Sequence, residues 1–358
     1  MRVRFLGTMP VAGYSGGRLL ALTMAESLAM TGETVDFLVN NIPEMYDEFK
    51  SFSRLNLIKA DFDNLSPWVD RSIDIVIIIP GQGHIFKHGE WTRHAIECHA
   101  KIVLLNFEPP NWFNKVSPYK RDEESWAGWD IVSKYADLIL SISQEGNKYA
   151  KKYYKSTKEK CKFDFCYPGI NTVLADQAPS TRQRQKQIVM LTRIDPHKGF
   201  DILEPLVTPK LAGYHVVIHL GTGEFPSSKL RKLRRKFSQL NMKFEIKSAI
   251  VGVDKFTLLK QSSLLYFPTR FEGFGIPPLE AAYCLLPCAC SNLPVLKEFG
   301  KKAFTYGDPN DIKDMRRAVI KALTSQNRLR KEHRRISKIA KMQEYGKRQV
   351  KIFKSLFR

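Results

Sequence analysis

Short apolar runs alternate with amphipathic stretches through the first part of the chain. The runs RVRFLGT, TVDFLVN, SIDIVIIIP, AKIVLLNF and YADLILSIS predict strands, and LLALTMAESLAMTGE predicts a helix that Gly32 ends. Near-continuous apolar strands are typical of a parallel sheet that is covered on both faces. The pattern therefore predicts a doubly wound α/β domain.

A polar segment at residues 155–187 interrupts this rhythm, which then restarts. The runs IVMLTRI, YHVVIHLGTG, KFEIKS and SLLYFPT predict further strands, and we expect a helix from FDILEPLV and another over SSKLRKLRRKF. The restart predicts a second doubly wound domain, with the boundary between residues 168 and 186. Two such domains facing each other would form a ligand cleft at the carboxyl ends of their sheets.

The charge of the chain is strongly positive, with 57 Lys and Arg against 36 Asp and Glu and a formal net charge of +21. Such an excess indicates an anionic partner, which could be nucleic acid, a membrane surface or a phosphorylated substrate. Residues 325–358 contain twelve of the cations and two Glu, and Val350, Phe353 and Phe357 recur there at helical spacing. For the second basic cluster, residues 227–237, a solvated helix face is the favoured interpretation.

Targeting signals and cysteines indicate a cytoplasmic protein. The chain begins with a predicted strand rather than a signal peptide, and no apolar run has the length needed to span a bilayer. Six cysteines without a paired framework fit a reducing compartment. Cys284, Cys288 and Cys290 lie in an apolar run, so we interpret them as packing residues rather than metal ligands.

A glycine loop, GTMPVAGYSGGRLLAL, connects the first predicted strand to the first helix. Gly13, Gly16 and Gly17 would let backbone N–H groups approach a phosphate at the positive end of that helix. The spacing is not G-x-G-x-x-G, and the next strand ends in Asn40-Asn41 without an acid for a ribose. A dehydrogenase is therefore disfavoured, although glycine is also common in ordinary turns.

Two cations flank the turn after a predicted strand in LTRIDPHKGFDIL. Arg193 and Lys198 would suit a diphosphate, whose charge must be neutralised as it departs. A surface turn with solvated cations accounts for them equally well.

Two acids surround a glycine-rich turn in RFEGFGIPPLEAAY. Pro277 and Pro278 suit the first turn of a helix, which would place Glu280 in that turn and Glu272 in the loop before it. Glu280 could simply complement the helix dipole while Glu272 is solvated. The two phenylalanines around Glu272 argue against a plain turn.

The segment FEGFGIPPLEAAYCLLPCACSNLPVLKEF resembles the E-x7-E signature of the family-four retaining glycosyltransferases, which have the GT-B fold. GYSGGR, CYPGIN, LTRIDPHKGFD and HLGTGE resemble further motifs of that family, in the family's order. The resemblance spans nearly the whole second domain and, more loosely, the first. It implies two Rossmann-like domains facing across a cleft, over residues 1–168 and 169–340, with a basic C-terminal helix at 341–358 packing back on the first domain.

The same resemblance implies a role for each matching residue. Arg193 and Lys198 would bind the donor diphosphate, Glu280 the ribose hydroxyls, and Glu272 the transferred sugar. The other expected donor contacts are backbone groups of the glycine loops and of the E-x7-E turn: Gly16, Gly17, Gly223, Phe274 and Gly275.

One family feature is missing from the first domain. A histidine often follows its fourth strand, whereas this chain reads LLNFEPPNW there, with Asn106 and Glu108. His84, in PGQGHIF, could occupy the region instead. Each of these three is a candidate sugar contact, and a structural role is at least as plausible.

We therefore expect a retaining glycosyltransferase that moves a sugar from a UDP- or GDP-linked donor to a hydroxyl of a glycan or lipid-linked glycan, in polysaccharide biosynthesis. We expect no resident cofactor and no metal, because no carboxylates cluster near the diphosphate residues. The basic C-terminal helix indicates contact with an anionic membrane surface, and we expect this contact at the inner face of the membrane. The alternative is a non-enzymatic nucleic-acid-binding protein, which would leave the acidic turn and the glycine loops without a role.

Overall fold

The first sheet is built from apolar segments that the sequence pattern predicts. The computed structural model describes residues 1–12, 15–81, 85–221, 227–248 and 250–358. Among them, the strands of the first sheet are β1 (Arg2–Gly7), β2 (Thr34–Val39), β3 (Asn56–Lys59), β4 (Ile75–Ile79), β5 (Lys101–Asn106), β6 (Leu138–Ser141) and β7 (Lys162–Phe165). All pairings are parallel, in the order β3-β2-β1-β4-β5-β6-β7. The strand order therefore reverses between β1 and β4.

The second sheet repeats this arrangement. Its described strands are β8 (Gln187–Thr192), β9 (His215–Leu220), β10 (Lys243–Ser248), β11 (Leu264–Phe267), β12 (Cys288–Ser291) and β13 (Thr305–Gly307). They are parallel in the order β10-β9-β8-β11-β12-β13, so the reversal lies between β8 and β11. This is the strand order of a nucleotide-binding doubly wound fold. The predicted doubly wound α/β class is confirmed for both sheets.

Parallel pairing requires crossover connections, and α-helices lie in most of them. Those between β1 and β7 are α1 (Gly16–Ala29), α2 (Ile85–Glu97), α3 (Pro110–Val116), α4 (Ala127–Ser133) and α5 (Gln144–Tyr153). Those that follow are α6 (Thr172–Gln177), α7 (Ser227–Ser238), α8 (Gly252–Gln261), α9 (Ile276–Tyr283), α10 (Pro294–Gly300), α11 (Ile312–Leu323), α12 (Gln326–Ala340) and α13 (Met342–Lys354).

The chain divides into two units. The first contains Met1–Val116, Lys120–Gly169 and Lys341–Arg358, and the second contains Ser117–Tyr119 and Ile170–Ala340. Each unit has its own sheet and its own core; Phe5, Phe37 and the isoleucines of β4 are fully buried in the first, and Phe237, Tyr266 and Met315 in the second.

Helix α13 belongs to the first unit, where it lies against α1. Its Tyr345 and Phe353 are fully buried. Gly346 allows the closest approach, since a Cβ at this position would lie 2.0 Å from the carbonyl oxygen of Ser27. The apolar face of this basic helix is therefore occupied by packing within the first unit.

One local expectation was wrong. FDILEPLV does not form an α-helix; its only regular piece is a single 3-10 turn at Glu204–Leu206. Pro205 would remove a backbone hydrogen bond and clash with the preceding turn in a helix interior. Cys288 and Cys290, which the sequence suggested only as packing residues, are buried in β12. Within the described residues, no helix combines the length and apolarity required to cross a membrane.

Candidate functional site

The carboxyl ends of β8 and β11 meet where the strand order of the second sheet reverses. In open α/β sheets this is the place where ligands bind. Residues 193–199 follow β8 and residues 268–275 follow β11. The two loops contain three residues that the sequence nominated for catalysis: Arg193, Lys198 and Glu272.

Asp195 organises the turn after β8. It begins the 3-10 turn Pro196–Lys198, accepting hydrogen bonds from the His197 backbone N–H at 3.3 Å and from His197 Nδ1 at 2.5 Å. Burial by itself raises the pKa of Asp195, but the His197 hydrogen bond and the nearby Arg193 outweigh it, and the pKa falls to about 2. Arg193 Nη2 lies 3.2 Å from Asp195 Oδ2, with 44% of its side chain exposed. The turn thus holds an ionised acid that orients one exposed guanidinium.

The two loops are tied together by backbone contacts. Arg270 N–H donates to the His197 carbonyl at 2.7 Å, and Thr269 Oγ1 donates to the same carbonyl at 3.1 Å. Gly199 has a φ of +67°, and a Cβ there would lie 2.0 Å from the Pro268 carbonyl oxygen. Only glycine fits this position without moving the loops apart. The separation between the catalytic candidates of the two loops is therefore fixed by the backbone.

Lys198 and Glu272 form an ion pair across these loops. The distance from Lys198 Nζ to Glu272 Oε1 is 2.8 Å, and the side chains are 22% and 8% exposed. A cation and a carboxylate are thus brought together at the end of the sheet.

Glu280 lies further along its helix than the sequence suggested. Helix α9 begins at Ile276, after Gly275 with a φ of +108°, so Glu280 is the fifth helical residue and not part of the first turn. Pro277 and Pro278 occupy the first turn as expected, because that turn has no use for their missing N–H groups.

A second lysine binds Glu280. Lys255, on α8, places Nζ 2.7 Å from Glu280 Oε1, and the two side chains are only 7% and 5% exposed. The sequence analysis missed Lys255. A signal was present, because Lys255 shares the buried face of α8 with Leu259, four residues later.

The aromatic residues of the acidic turn belong to the core. Phe271 and Phe274 are buried, and Phe274 stacks on Phe299 with ring centroids 4.3 Å apart. A Cβ on Gly275 would lie 2.5 Å from Leu296 Cδ2. The rings and the glycine therefore hold the turn in place.

His219 is the next-to-last residue of β9. Its Nε2 accepts a hydrogen bond from the backbone N–H of Ile250 at 2.6 Å. Burial, with a smaller contribution from Lys255, lowers the pKa of His219 to about 4. Neutral His219 thus fixes the start of the connection from β10 to α8 at neutral pH. Gly223, the expected glycine contact after β9, lies outside the described residues.

Helix α1 follows β1, at the strand reversal of the first sheet. Gly13, in the glycine loop before α1, lies outside the described residues. Gly16 and Gly17 open α1. Among the described residues, no atom lies within 4 Å of a Cβ built on Gly16, and a Cβ on Gly17 would meet only the Phe107 ring, at 3.8 Å. Arg18, which the sequence analysis did not single out, follows them. It donates to the Ile79 carbonyl at 3.4 Å and to Thr8 Oγ1 at 3.3 Å, and burial lowers its pKa to about 10.

The three candidate sugar contacts of the first domain differ in their surroundings. Asn106 is fully buried, donating to Ser141 Oγ at 3.0 Å and accepting from the Tyr154 hydroxyl at 3.1 Å, so both ends of its amide are engaged. Glu108 Oε1 lies 3.9 Å from Arg121 Nη1 in a partly exposed loop. His84 lies outside the described residues. Within the described chain, no three His, Cys, Asp or Glu side chains are grouped as metal ligands would be.

Comparison with known proteins finds similarity to glycosyltransferases. Residues 175–343 match the model of the family described as glycosyl transferases group 1. A segment of 249 residues, 64% of this chain, is 25% identical to the serotype-specific mannosyltransferase WbdA of Escherichia coli. A shorter segment of 57 residues, 16% of this chain and 15% of the relative, is 39% identical to the O-antigen chain mannosyltransferase B of Escherichia coli. The matched part makes up only 29% of WbdA.

Solved structures resemble the chain over nearly its whole length. Anabaena Alr3699/HepE, in complex with UDP and glucose, aligns with a TM-score of 0.71 at 12% identity, covering 99% of both chains. Sucrose-phosphate synthase from Thermosynechococcus elongatus aligns with a TM-score of 0.70 at 14% identity, again over 99% of both. The expected GT-B fold is confirmed. The chain is thus a GT-B protein whose residues 175–343 match the group 1 glycosyl transferases.

Proposed function

We propose that this protein transfers a sugar from a nucleoside diphosphate sugar to an acceptor hydroxyl, with retention at the anomeric carbon. The observation that carries the proposal is the pairing of Lys198 with Glu272 at the strand reversal of the second sheet, 2.8 Å apart. A donor of this kind presents phosphates and hydroxyls side by side, and this pair offers one group suited to each. The family match at residues 175–343 includes Arg193, Lys198, Glu272 and Glu280.

The cations serve the leaving diphosphate. Negative charge grows on the phosphate as the bond to the sugar breaks, and cations already held in place stabilise that charge without reorganising. Arg193 is oriented by Asp195, and Lys198 by Glu272. A bound diphosphate competes with Glu272 for the Lys198 ammonium. Glu272 is then directed to a hydroxyl of the transferred sugar.

The remaining contacts orient the donor. Glu280 accepts hydrogen bonds from the ribose hydroxyls, since a carboxylate accepts two such protons well. The backbone amides of Phe274 and Gly275 lie against sugar and phosphate, and Gly223 contacts the phosphates. Gly16 and Gly17 supply amides at the positive end of α1, which suits a phosphate. Asn106, Glu108 and His84 stay as candidates for the sugar side, Asn106 being the weakest because its amide is already engaged.

Retention follows if the acceptor attacks from the face that the diphosphate leaves. The bond between the anomeric carbon and the phosphate oxygen breaks, and a bond to the acceptor oxygen forms on the same face. The acceptor proton passes to an oxygen of the departing phosphate. This sequence uses no protein nucleophile and no resident cofactor, and it assigns charge neutralisation to Arg193 and Lys198 rather than to a metal. Activity should therefore survive chelation with EDTA, and recovery only on adding Mg²⁺ or Mn²⁺ would overturn that assignment.

The names of the relatives suggest a mannosyl donor and an acceptor in O-antigen synthesis. We accordingly propose a mannosyltransferase of polysaccharide biosynthesis acting on a glycan or lipid-linked glycan at the cytoplasmic face of a membrane. Exposed cations of the C-terminal helix support an anionic membrane partner: Lys347, Lys351 and Lys354 on α13 are all exposed. Each engaged cation contributes about 1 kcal/mol at low salt, so binding to phosphatidylglycerol vesicles should be reversed by salt.

A donor panel tests the function. Thermal melts and donor hydrolysis are measured with GDP-mannose, UDP-glucose and UDP-N-acetylglucosamine, and with single-stranded DNA and RNA as the contrasting ligands. Stabilisation by one nucleotide sugar, with release of its nucleoside diphosphate, is the expected result. Tight, salt-sensitive binding to nucleic acid without any response to the sugars would instead establish the nucleic-acid-binding alternative.

A further inference from the structure

We propose that Lys255 is a positioning residue for the donor nucleoside, acting through Glu280 by fixing the orientation of its carboxylate toward the ribose hydroxyls. This inference rests on the proposed function, in which Glu280 binds the ribose. It adds a residue that neither loop of the candidate site contains, because Lys255 comes from α8.

The geometry of the pair carries the inference. Nζ of Lys255 lies 2.7 Å from Oε1 of Glu280, which is the length of a strong charge-assisted hydrogen bond. Both side chains are almost fully buried, and α8 packs beside α9. A buried hydrogen bond of this length restricts the rotation of the carboxylate, so it sets the direction in which Glu280 meets a ligand.

Because Glu280 is buried, its negative charge depends on the ammonium of Lys255. A carboxylate taken out of water is stabilised as an ion only by a nearby cation or by hydrogen bonds. Without the ammonium, the carboxyl group would bind a proton or turn toward solvent. A protonated carboxyl has one O–H donor in place of an acceptor, and it would accept ribose hydroxyls less well.

Lys255 also affects His219, on β9. Its charge assists burial in lowering the pKa of His219 to about 4. Neutral His219 accepts the Ile250 N–H and so fixes the chain just before α8, the helix that carries Lys255. Lys255 therefore binds the acid of α9 and lies close enough to influence the histidine that holds Ile250.

A purely structural role, in which the pair only joins two helices, is the competing explanation. The chain offers a matched control in Lys236 and Glu204, which form an ion pair of the same length, 2.7 Å, elsewhere in the second unit. Their side chains are 35% and 42% exposed. Lys236→Met removes a similar pair without touching Glu280.

The experiment measures nucleoside diphosphate affinity by calorimetry for wild type, Lys255→Met, Lys255→Arg and Lys236→Met. The probes are GDP, UDP, their 2′,3′-dideoxy analogues and inorganic pyrophosphate. Lys255→Met should weaken the preferred nucleotide by about 10- to 100-fold, the size expected for a charged hydrogen bond. The dideoxy analogue and pyrophosphate should change by less than about 3-fold, and Lys255→Arg should recover part of the affinity. Lys236→Met should bind like wild type.

A double mutant tests whether Lys255 acts through Glu280. In a Glu280→Gln background, Lys255→Met should weaken the nucleotide by less than about 3-fold, because the group that it orients has already been altered. Equal losses for ribose and dideoxy nucleotides, or full additivity of the two substitutions, would overturn the inference. So would a lowered melting temperature with unchanged affinity.

Two further outcomes have to be distinguished: a Lys255 variant that does not fold, and a wild-type protein that binds no nucleotide. If Lys255→Met does not fold, Lys255→Arg and Lys255→Gln are measured in the same way, and nucleotide affinity equal to wild type in both overturns the inference. If the wild-type protein binds neither GDP nor UDP, the proposed function fails and this inference fails with it. Binding by wild type that Lys255 substitutions leave unchanged removes only the inference.

Discussion

The two units reverse their strand order at equivalent places, between β1 and β4 in the first and between β8 and β11 in the second. At the first reversal, the described residues give Arg18 neutral oxygens, from Ile79 and Thr8, and no carboxylate in an ion pair. At the second, Lys198 is paired with Glu272, and Arg193 with Asp195. The same topology therefore presents a guanidinium bound to neutral oxygens in one unit and two ion pairs in the other. Chemistry resides in the loops and not in the sheet order.

Glycine is used in opposite ways at the two places. Gly16 begins α1 with open space around it, so backbone amides there can be approached closely. Gly199 is enclosed, with the Pro268 carbonyl where a Cβ would be. In the first unit the absent side chain leaves room for a ligand, whereas in the second it lets two loops touch. Four sets of substitutions test this contrast.

The largest effect is expected from the cations of the second unit. Lys198→Ala and Arg193→Ala should each lower kcat by about 100-fold or more, because they remove charges that stabilise the leaving diphosphate. Steady-state kinetics with varied donor measures this, and Lys236→Ala serves as the control for loss of a lysine elsewhere in the same unit. A kcat that stays within a few-fold of wild type in both variants would contradict the diphosphate role.

Glu280→Ala should act mainly on donor binding. Its hydrogen bonds to ribose are nearly equal in strength in the ground and transition states. The free energy of donor binding should therefore weaken by about 1.5–3 kcal/mol, and the resulting rise in donor KM should exceed the fall in kcat. Glu272→Ala should fall between Glu280→Ala and the cation variants in its effect on kcat, because Glu272 contacts the sugar that distorts. The four variants are compared by donor kinetics after thermal melts have established folding. A larger effect of Glu280→Ala on kcat than on KM would reverse the assigned roles.

Gly199→Ala and Gly346→Ala form a matched pair, one in each unit. Each new methyl group would lie 2.0 Å from a carbonyl oxygen, so each should destabilise folding by about 1–3 kcal/mol. Gly199→Ala should in addition lower kcat, since moving the loops apart separates Lys198 from Glu272. Urea unfolding and donor kinetics on both variants test this. Equal kinetic losses in the two would mean that the effect of Gly199 is general destabilisation.

Arg18→Met should have the smallest effect. A partly buried guanidinium with long hydrogen bonds to neutral oxygens gains little in exchange for its lost hydration, so an apolar side chain of similar length should change the free energy of unfolding by less than about 1 kcal/mol. Urea unfolding measures the difference. A loss above about 2 kcal/mol would show that Arg18 is held as tightly as the cations of the second unit.

Apolar runs were sufficient to predict most of the strands, because a strand buried on both faces has few other compositions available to it. The loops of the second unit were also recognisable, since Arg193, Lys198, Glu272 and Glu280 stand in a sequence pattern. The partners of those residues were not. Lys198 and Glu272 are 74 residues apart, and Lys255 and Glu280 are 25 apart. Such pairings depend on which strands lie side by side, which no single segment encodes.

The errors have equally local causes. Glu280 was placed one turn too early because the start of α9 is set by the left-handed conformation of Gly275, which composition does not reveal. FDILEPLV has helical hydrophobic spacing, but Pro205 prevents a helix. Lys255 was overlooked because a lysine on an apolar helix face looks like a break in the pattern rather than the partner of a buried acid.

The return of α13 to the first unit has a consequence for the order in which the chain can fold during synthesis. The first unit includes residues 341–358, which are translated after all of Ile170–Ala340. The first unit therefore lacks the helix that covers Ser27 on α1 until residues 341–358 have been translated. By then, the second unit has every strand of its described sheet. Although domains generally fold in the order in which they emerge from the ribosome, here the second unit is the first that can complete its own contacts.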